Sequence, residues 1–135
     1  MKIDGSCLCG FIKYEAEIDT DDVSICHCTD CQTLSGSAFR VGVPIPEGNF
    51  KLLAGQPKTY VKTAESGAKR AQVFCPECGT HIYATDANPA TAKVHRYRLG
   101  SIRQRRALTP STQIWCRSAL PWAEDISGVP RKETQ

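Results

Sequence analysis

The sequence predicts a mostly β domain with little helix, and three observations carry that reading. Short segments alternate apolar and polar residues with a period of two, which is the pattern of a half-buried strand. Gly, Pro, Asp and Asn punctuate these segments closely, as in Gly55-Gln56-Pro57 and Asp86-Ala87-Asn88-Pro89. Only one short stretch reads as helix. A sandwich or folded-over sheet follows, with bound metal doing part of the work of a core. The 135 residues suit one domain. A chain of this size buries roughly two-thirds of its unfolded surface. The expected unit is residues 1–127, with the polar stretch 128–135 as a flexible C-terminal tail.

Residues 11–18 alternate most cleanly. Ile12, Tyr14, Ala16 and Ile18 share one face, and Lys13, Glu15 and Glu17 share the other. The helical candidate is 30–34, after Thr29 as N-cap. Val41, Val43 and Ile45 repeat the strand pattern, stopped by Pro44 and Pro46, which suit a strand end or edge. Further strands are expected over 49–53, 58–63, 69–74, 80–84, 94–99 and 113–117.

Composition narrows the function. The chain is 41% hydrophobic and 23% charged, an ordinary globular balance rather than a disordered one. A formal charge of +3 is too small to imply nucleic acid. No apolar run is long enough to span a membrane, and Met1 is followed by no secretory pattern. The expectation is a cytoplasmic chain, in which eight cysteines read as metal ligands rather than disulfides.

Seven of those cysteines fall in three clusters. Cys7-Leu8-Cys9 is followed by Gly10, Cys26-His27-Cys28-Thr29-Asp30-Cys31 forms the middle cluster, and Cys75-Pro76-Glu77-Cys78 is followed by Gly79. A C-x-x-C turn aims both sulfurs at one point, and the glycine after it accepts the positive φ that ends the turn. A C-x-C on an extended segment puts both side chains on one face. Cys7, Cys9, Cys75 and Cys78 therefore make a closed four-sulfur zinc site, which is structural and contributes on the order of 10 kcal/mol in small zinc peptides. Cys26, Cys28 and Cys31 supply three ligands and leave a fourth position, the arrangement of a catalytic zinc that would accept a substrate thiol and lower its pKa. The competing reading closes that shell with His27, His81 or Cys116.

Other residues carry plainer expectations. His27 points away from the middle cluster if its segment is extended, toward hydrogen bonding or solvent. His81 packs at the start of a strand, and His95 sits on a strand face. Cys116 reads as a buried, inert thiol, with a redox-active thiol as the sharper alternative. Arg96, Arg98, Arg103, Arg105 and Arg106 read as a solvated face or, functionally, an anion clamp.

The residues 5–15, GSCLCGFIKYE, resemble the opening of the glutathione-dependent formaldehyde-activating enzyme family, also called GFA or centromere-protein-V-like. The CHCTDCQ of 26–32, followed by SGSAF at 35–39, resembles its central signature, and FCPECGT at 74–80 its third. Ile114-Trp115 and Pro121-Trp122 resemble its tail. The resemblance implies an Mss4-like, zinc-tied β-sheet fold with little helix. It implies a structural zinc on Cys7, Cys9, Cys75 and Cys78, and a catalytic zinc on Cys26, Cys28 and Cys31. The implied activity is that of a carbon–sulfur lyase, joining glutathione and formaldehyde reversibly into S-hydroxymethylglutathione. The expected partners are a small thiol such as glutathione and a small aldehyde. By adjacency, Gln32, Ser35, Ser37 and Phe39 are the expected substrate-pocket residues.

Two other functions compete. A non-enzymatic zinc module for a protein or nucleic-acid partner predicts a middle site closed by a fourth protein ligand and a continuous basic face from Arg96 to Arg106. A thiol-redox enzyme predicts an accessible Cys116 with a resolving thiol in reach.

Overall fold

The protein's structure, a computed structural model, describes residues 1–19 and 22–135. In chain order the elements are β1 (Lys2–Ser6), β2 (Lys13–Glu17), β3 (Ser24–Cys26), α1 (Thr29–Ser35), β4 (Arg40–Pro46), β5 (Phe50–Ala54), β6 (Lys58–Thr63), β7 (Lys69–Phe74), β8 (His81–Asp86), β9 (Val94–Arg98) and β10 (Thr112–Ile114). Short 3-10 turns connect several of them. The strands form two sheets, one of order β1-β2-β5 and one of order β10-β3-β4-β9-β8-β7-β6. All pairings are antiparallel except that of β10 with β3.

The inward face of β2 is the one the alternation predicts. Ile12, Tyr14, Ala16 and Ile18 are buried, and Ile3 of β1 joins them. They pack against Val43, Ile45, Ile82 and Tyr97 of the larger sheet, with Phe50 partly buried against the same cluster. An aromatic group ties the layers. Tyr97 lies 5.1 Å from both Tyr14 and Phe50, and His95 stacks on Tyr83 at 4.5 Å with a 7° interplanar angle. Burying such rings gives the interface between the sheets a large share of its apolar area. Gly5 of β1 leaves room for the ring of its cross-strand partner, since a Cβ there would meet the Tyr14 Cζ at 2.2 Å and the Ser101 carbonyl at 2.5 Å.

Three expectations are corrected. Pro44 does not stop its strand: β4 runs through it and ends at Pro46, between β3 and β9. The register explains why they are tolerated. β3 pairs only with Arg40, Val41 and Gly42, so β4 is a local edge on that flank from Val43 onward. The N-cap of α1 is Cys28 rather than Thr29, which is already helical. The strand expected over 113–117 ends at Ile114, and Cys116 lies exposed in the 3-10 turn Cys116–Ser118 instead of buried on a strand.

Candidate functional site

The first cysteine group is assembled by two tight turns. After β1, Gly10 N–H donates to the Cys7 carbonyl at 3.1 Å with Gly10 at φ 80°. Between β7 and β8, Gly79 N–H donates to the Cys75 carbonyl at 2.9 Å with Gly79 at φ 72°. Both glycines take the left-handed conformation that closes such a turn at no steric cost. The four sulfurs of Cys7, Cys9, Cys75 and Cys78 all lie within 4.8 Å of one another. Cys7 to Cys9 is 3.5 Å and Cys9 to Cys75 is 3.8 Å. Sulfurs at the corners of a tetrahedron with bonds of about 2.3 Å stand roughly 3.8 Å apart, so this donor set fits a zinc ion. Ile12 N–H donates to Cys7 Sγ at 3.1 Å, and Thr80 Oγ1 lies 3.1 Å from Cys78 Sγ. The Thr80 hydroxyl, with nearby backbone N–H groups, brings the Cys78 thiol down to about 5. Cys7 and Cys75 are themselves part of the core.

The second group sits where β3 gives way to α1. Cys26 ends the strand, Cys28 caps the helix, and Cys31 lies in its first turn. The cap is the Cys28 sulfur, which accepts the Cys31 N–H at 3.3 Å. The three sulfurs lie within 4.8 Å of one another, and among the described residues no fourth His, Cys, Asp or Glu joins them. That donor set fits a thiolate-bound metal with one position left over. Cys31 is the member whose thiol is drawn down. The hydrogen bond with Cys26 lowers it to about 5 against its burial, aided by the charge of Arg40, whose Nη2 donates to Cys31 Sγ at 3.2 Å. Cys26 is pushed up, first by that same bond and then by burial.

The loop carrying these cysteines is held from the far end of the chain. His27 N–H donates to the Ile114 carbonyl at 3.0 Å, and its Nε2 lies 2.7 Å from Gln113 Oε1. Gln32 Nε2 donates to the His27 carbonyl at 2.8 Å and to the Ser118 carbonyl at 2.9 Å. His27 is thus buried and hydrogen-bonded, outside the sulfur cluster.

Cys26, Cys28 and Cys31 line a cavity of about 630 Å³, and none of the first group does. Its floor is the outer face of the large sheet, opposite the core. Strand alternation places Cys26, Arg40, Arg70, Gln72, Arg96 and Arg98 there. Buried Gln72 accepts from both Arg40 Nη1 at 3.4 Å and Arg98 Nη2 at 3.1 Å. Burial, then the neighbouring Arg40, lowers Arg98 to about 9. The rim is the turn after β6 together with Ile114 and Trp115. Trp115 is the non-glycine residue with positive φ among those described, at 58°. The Arg117 guanidinium lies 4.9 Å from its ring centroid and 3.0 Å from Glu65 on the opposite rim. Lys62 and Asp30, both lining, form an ion pair.

The remaining candidates separate. Gln32, Ser35, Ser37 and Phe39 do not line the cavity. Gln32 is a brace, the Ser35 hydroxyl donates to the Gln32 and Phe39 carbonyls, Ser37 is exposed, and Phe39 packs on His27 at 5.6 Å. His81 stacks on Phe74 at 5.9 Å, and His95 is buried. The arginine run splits instead of forming one face. Arg96 and Arg98 enter the cavity, whereas Arg103 pairs with Asp4 at 2.7 Å and Arg105 donates to the Ile102 carbonyl at 3.2 Å. Sequence reasoning missed Arg40, Lys62, Arg70 and Gln72. The i, i+2 spacing of Arg70 and Gln72 within a strand, matching Arg96 and Arg98, is the signal that points to them.

Comparison with known proteins places this geometry. The family model for the glutathione-dependent formaldehyde-activating enzyme matches residues 2–118. A protein of Schizosaccharomyces pombe described as an uncharacterized lyase is 29% identical over 85 residues, covering 63% of this chain and 58% of that protein. The chain therefore spans less than two thirds of that relative's length. A crystal structure of a Rhodobacter sphaeroides protein, 15% identical, superposes with a TM-score of 0.61 over 82% of this chain and 98% of that one, a likeness of fold. Among the described residues no helix is long and apolar enough to cross a membrane.

Proposed function

The chain belongs to the glutathione-dependent formaldehyde-activating enzyme family, and from that premise we propose a zinc-dependent carbon–sulfur lyase. It adds the thiol of glutathione or a related small molecule reversibly to formaldehyde or another small aldehyde. The observation that supports this reading is the three-sulfur group set in the wall of a cavity with no fourth protein ligand. Zinc held by Cys26, Cys28 and Cys31 would supply a soft Lewis acid that keeps a substrate thiol ionised at neutral pH.

The chain's own residues do the rest. Arg40 holds Cys31 as a thiolate. The Gln32 and His27 contacts fix the loop, and the cavity brings thiol and aldehyde together. As sulfur attacks, one sulfur–carbon bond forms and the carbonyl π pair moves onto oxygen. The thiol's proton is released to solvent, and one solvent proton completes the hydroxyl. The cationic floor favours the transient oxyanion. Cys7, Cys9, Cys75 and Cys78 would hold the structural zinc. Eight unpaired cysteines suit a reducing compartment such as the cytoplasm.

The test is elemental analysis of reduced protein, followed by exchange NMR of 13C-formaldehyde with glutathione. Two zincs per chain and accelerated exchange are expected. A two-zinc protein that leaves the spontaneous exchange rate unchanged refutes the lyase reading for this pair of substrates.

A further inference from the structure

The cavity floor holds more positive charge than the protein itself balances. Lys62 is matched by Asp30, and Glu65 by Arg117. Among the described residues Arg96 pairs with Asp22 alone, at 3.8 Å and largely in solvent, and donates to the Ser24 hydroxyl at 3.4 Å. Among the described residues, Arg40, Arg70 and Arg98 have no carboxylate within ion-pair distance. The Nε atoms of Arg40 and Arg98 are buried without a hydrogen-bond partner. Arg40 is 7% exposed, and a buried guanidinium without a counter-charge is costly. A metal dication on three thiolates carries one net negative charge, which suffices for Arg40 at Cys31. Arg98 and the weakly paired Arg96 remain, with Arg70 facing Asp86 across the β7–β8 pair, whose carboxyl it helps to lower without a direct ion pair. Neutral Gln72, wedged between Arg40 and Arg98, spaces two cations without neutralising either.

This floor begins at the reacting centre. Arg40 touches the Cys31 sulfur and shares Gln72 with Arg98, so an anion on Arg98 stands one side chain from the cluster. A carboxylate close in the molecule to the reacting atom reaches such a site with fewer rotors fixed than glutathione, whose carboxylates are at least six bonds from its sulfur.

We infer that the cavity selects a small reactant with a carboxylate one or two bonds from its reacting atom, seated on Arg98, Arg70 and Arg96 beside the three-cysteine cluster. The inference rests on the lyase reading for its chemistry, but the carboxylate site stands on charge and geometry. The carboxylate belongs either to a short mercapto acid or to a short oxo acid, and guanidinium–carboxylate pairing serves both.

Calorimetry on metal-replete protein separates the two sources. Thioglycolate is compared with 2-mercaptoethanol, and glyoxylate with glycolaldehyde. Tighter binding of thioglycolate, by at least tenfold, assigns the carboxylate to the thiol. The same preference for glyoxylate assigns it to the carbonyl partner. Arg98→Gln and, separately, Arg70→Gln should each cut the preferred acid's affinity at least tenfold and leave its neutral counterpart unchanged, with circular dichroism confirming the fold. Equal affinity for acid and neutral partners in both pairs overturns the inference. So does an acid preference that survives in both folded variants. Failure of the lyase reading looks different: the acids bind and respond to Arg98→Gln, while no thiol–aldehyde exchange is accelerated.

Discussion

The two cysteine groups use the same atom and differ in what surrounds it. The group of Cys7, Cys9, Cys75 and Cys78 is anchored in the core by Cys7 and Cys75, joins β1 to the β7–β8 turn, and brings four sulfurs together with Cys9 exposed. The group of Cys26, Cys28 and Cys31 stops at three and opens onto a cavity floored with arginine. The first has its own turns as scaffold. The second depends on Gln113, Ile114 and Ser118 from the far end of the chain. A four-sulfur cluster rooted in the core and joining distant strands is suited to holding a fold together. One left a ligand short, beside unmatched cations, is suited to binding something else.

The sharpest way to break this contrast is to remove one sulfur from each group. Cys75→Ser should forfeit metal binding worth on the order of 10 kcal/mol, comparable to the whole stability of a domain this size, and thermal melting should show loss of the cooperative transition. Cys31→Ser should keep that transition and lose only the second metal. Equal unfolding by both variants would erase the division of roles. Chelation makes the same comparison without mutation. Mild chelator should take the zinc content from two per chain to one, with far-UV circular dichroism unchanged. Loss of both metals together would show the two sites to be equally exposed.

Gln32→Ala sharpens the comparison more gently. It removes the donor to the His27 and Ser118 carbonyls. A cost of about 1–3 kcal/mol is expected, with faster metal loss from the three-sulfur group alone, read by stopped-flow chelation. The smallest effect belongs to a residue outside both clusters. Burial lowers the pKa of His95, so the unfolded chain binds a proton there more readily than the folded one. Stability from this residue is present above about pH 6.5 and falls as pH drops below it. His95→Phe should lose less stability than the parent between pH 6.5 and 5, by at most about 1.4 kcal/mol per pH unit, in denaturant titrations.

Much of this was legible in the sequence because it is local. Side-chain alternation gave the buried face of β2, and the bounds expected for β6 and β7 match those observed. The spacing of the cysteines placed both groups. What depended on pairing between distant segments was not legible. β1 hides a glycine in a strand interior, chosen for its closeness to Tyr14, and β3 is only three residues long. The cavity takes its floor from β3, β4, β7 and β9, so adjacency to the cysteines selected Gln32, Ser35, Ser37 and Phe39 when register would have selected Arg40, Arg70 and Gln72. Cys116 went astray because Trp115 turns left-handed and ends the strand before it.

The parallel pairing of β10 with β3 sets a timetable for synthesis. The four-sulfur set is complete once Cys78 has left the ribosome. The partners that brace the middle loop, Gln113 for His27 and Ser118 for Gln32, follow Cys78 by 35 and 40 residues. At about 5–20 residues per second that is a delay of roughly 2–8 s. During it the four-sulfur set could take up a metal while three thiols still wait for their scaffold, so any metal at the three-sulfur set would be the last captured, and its thiols the longest exposed to oxidation.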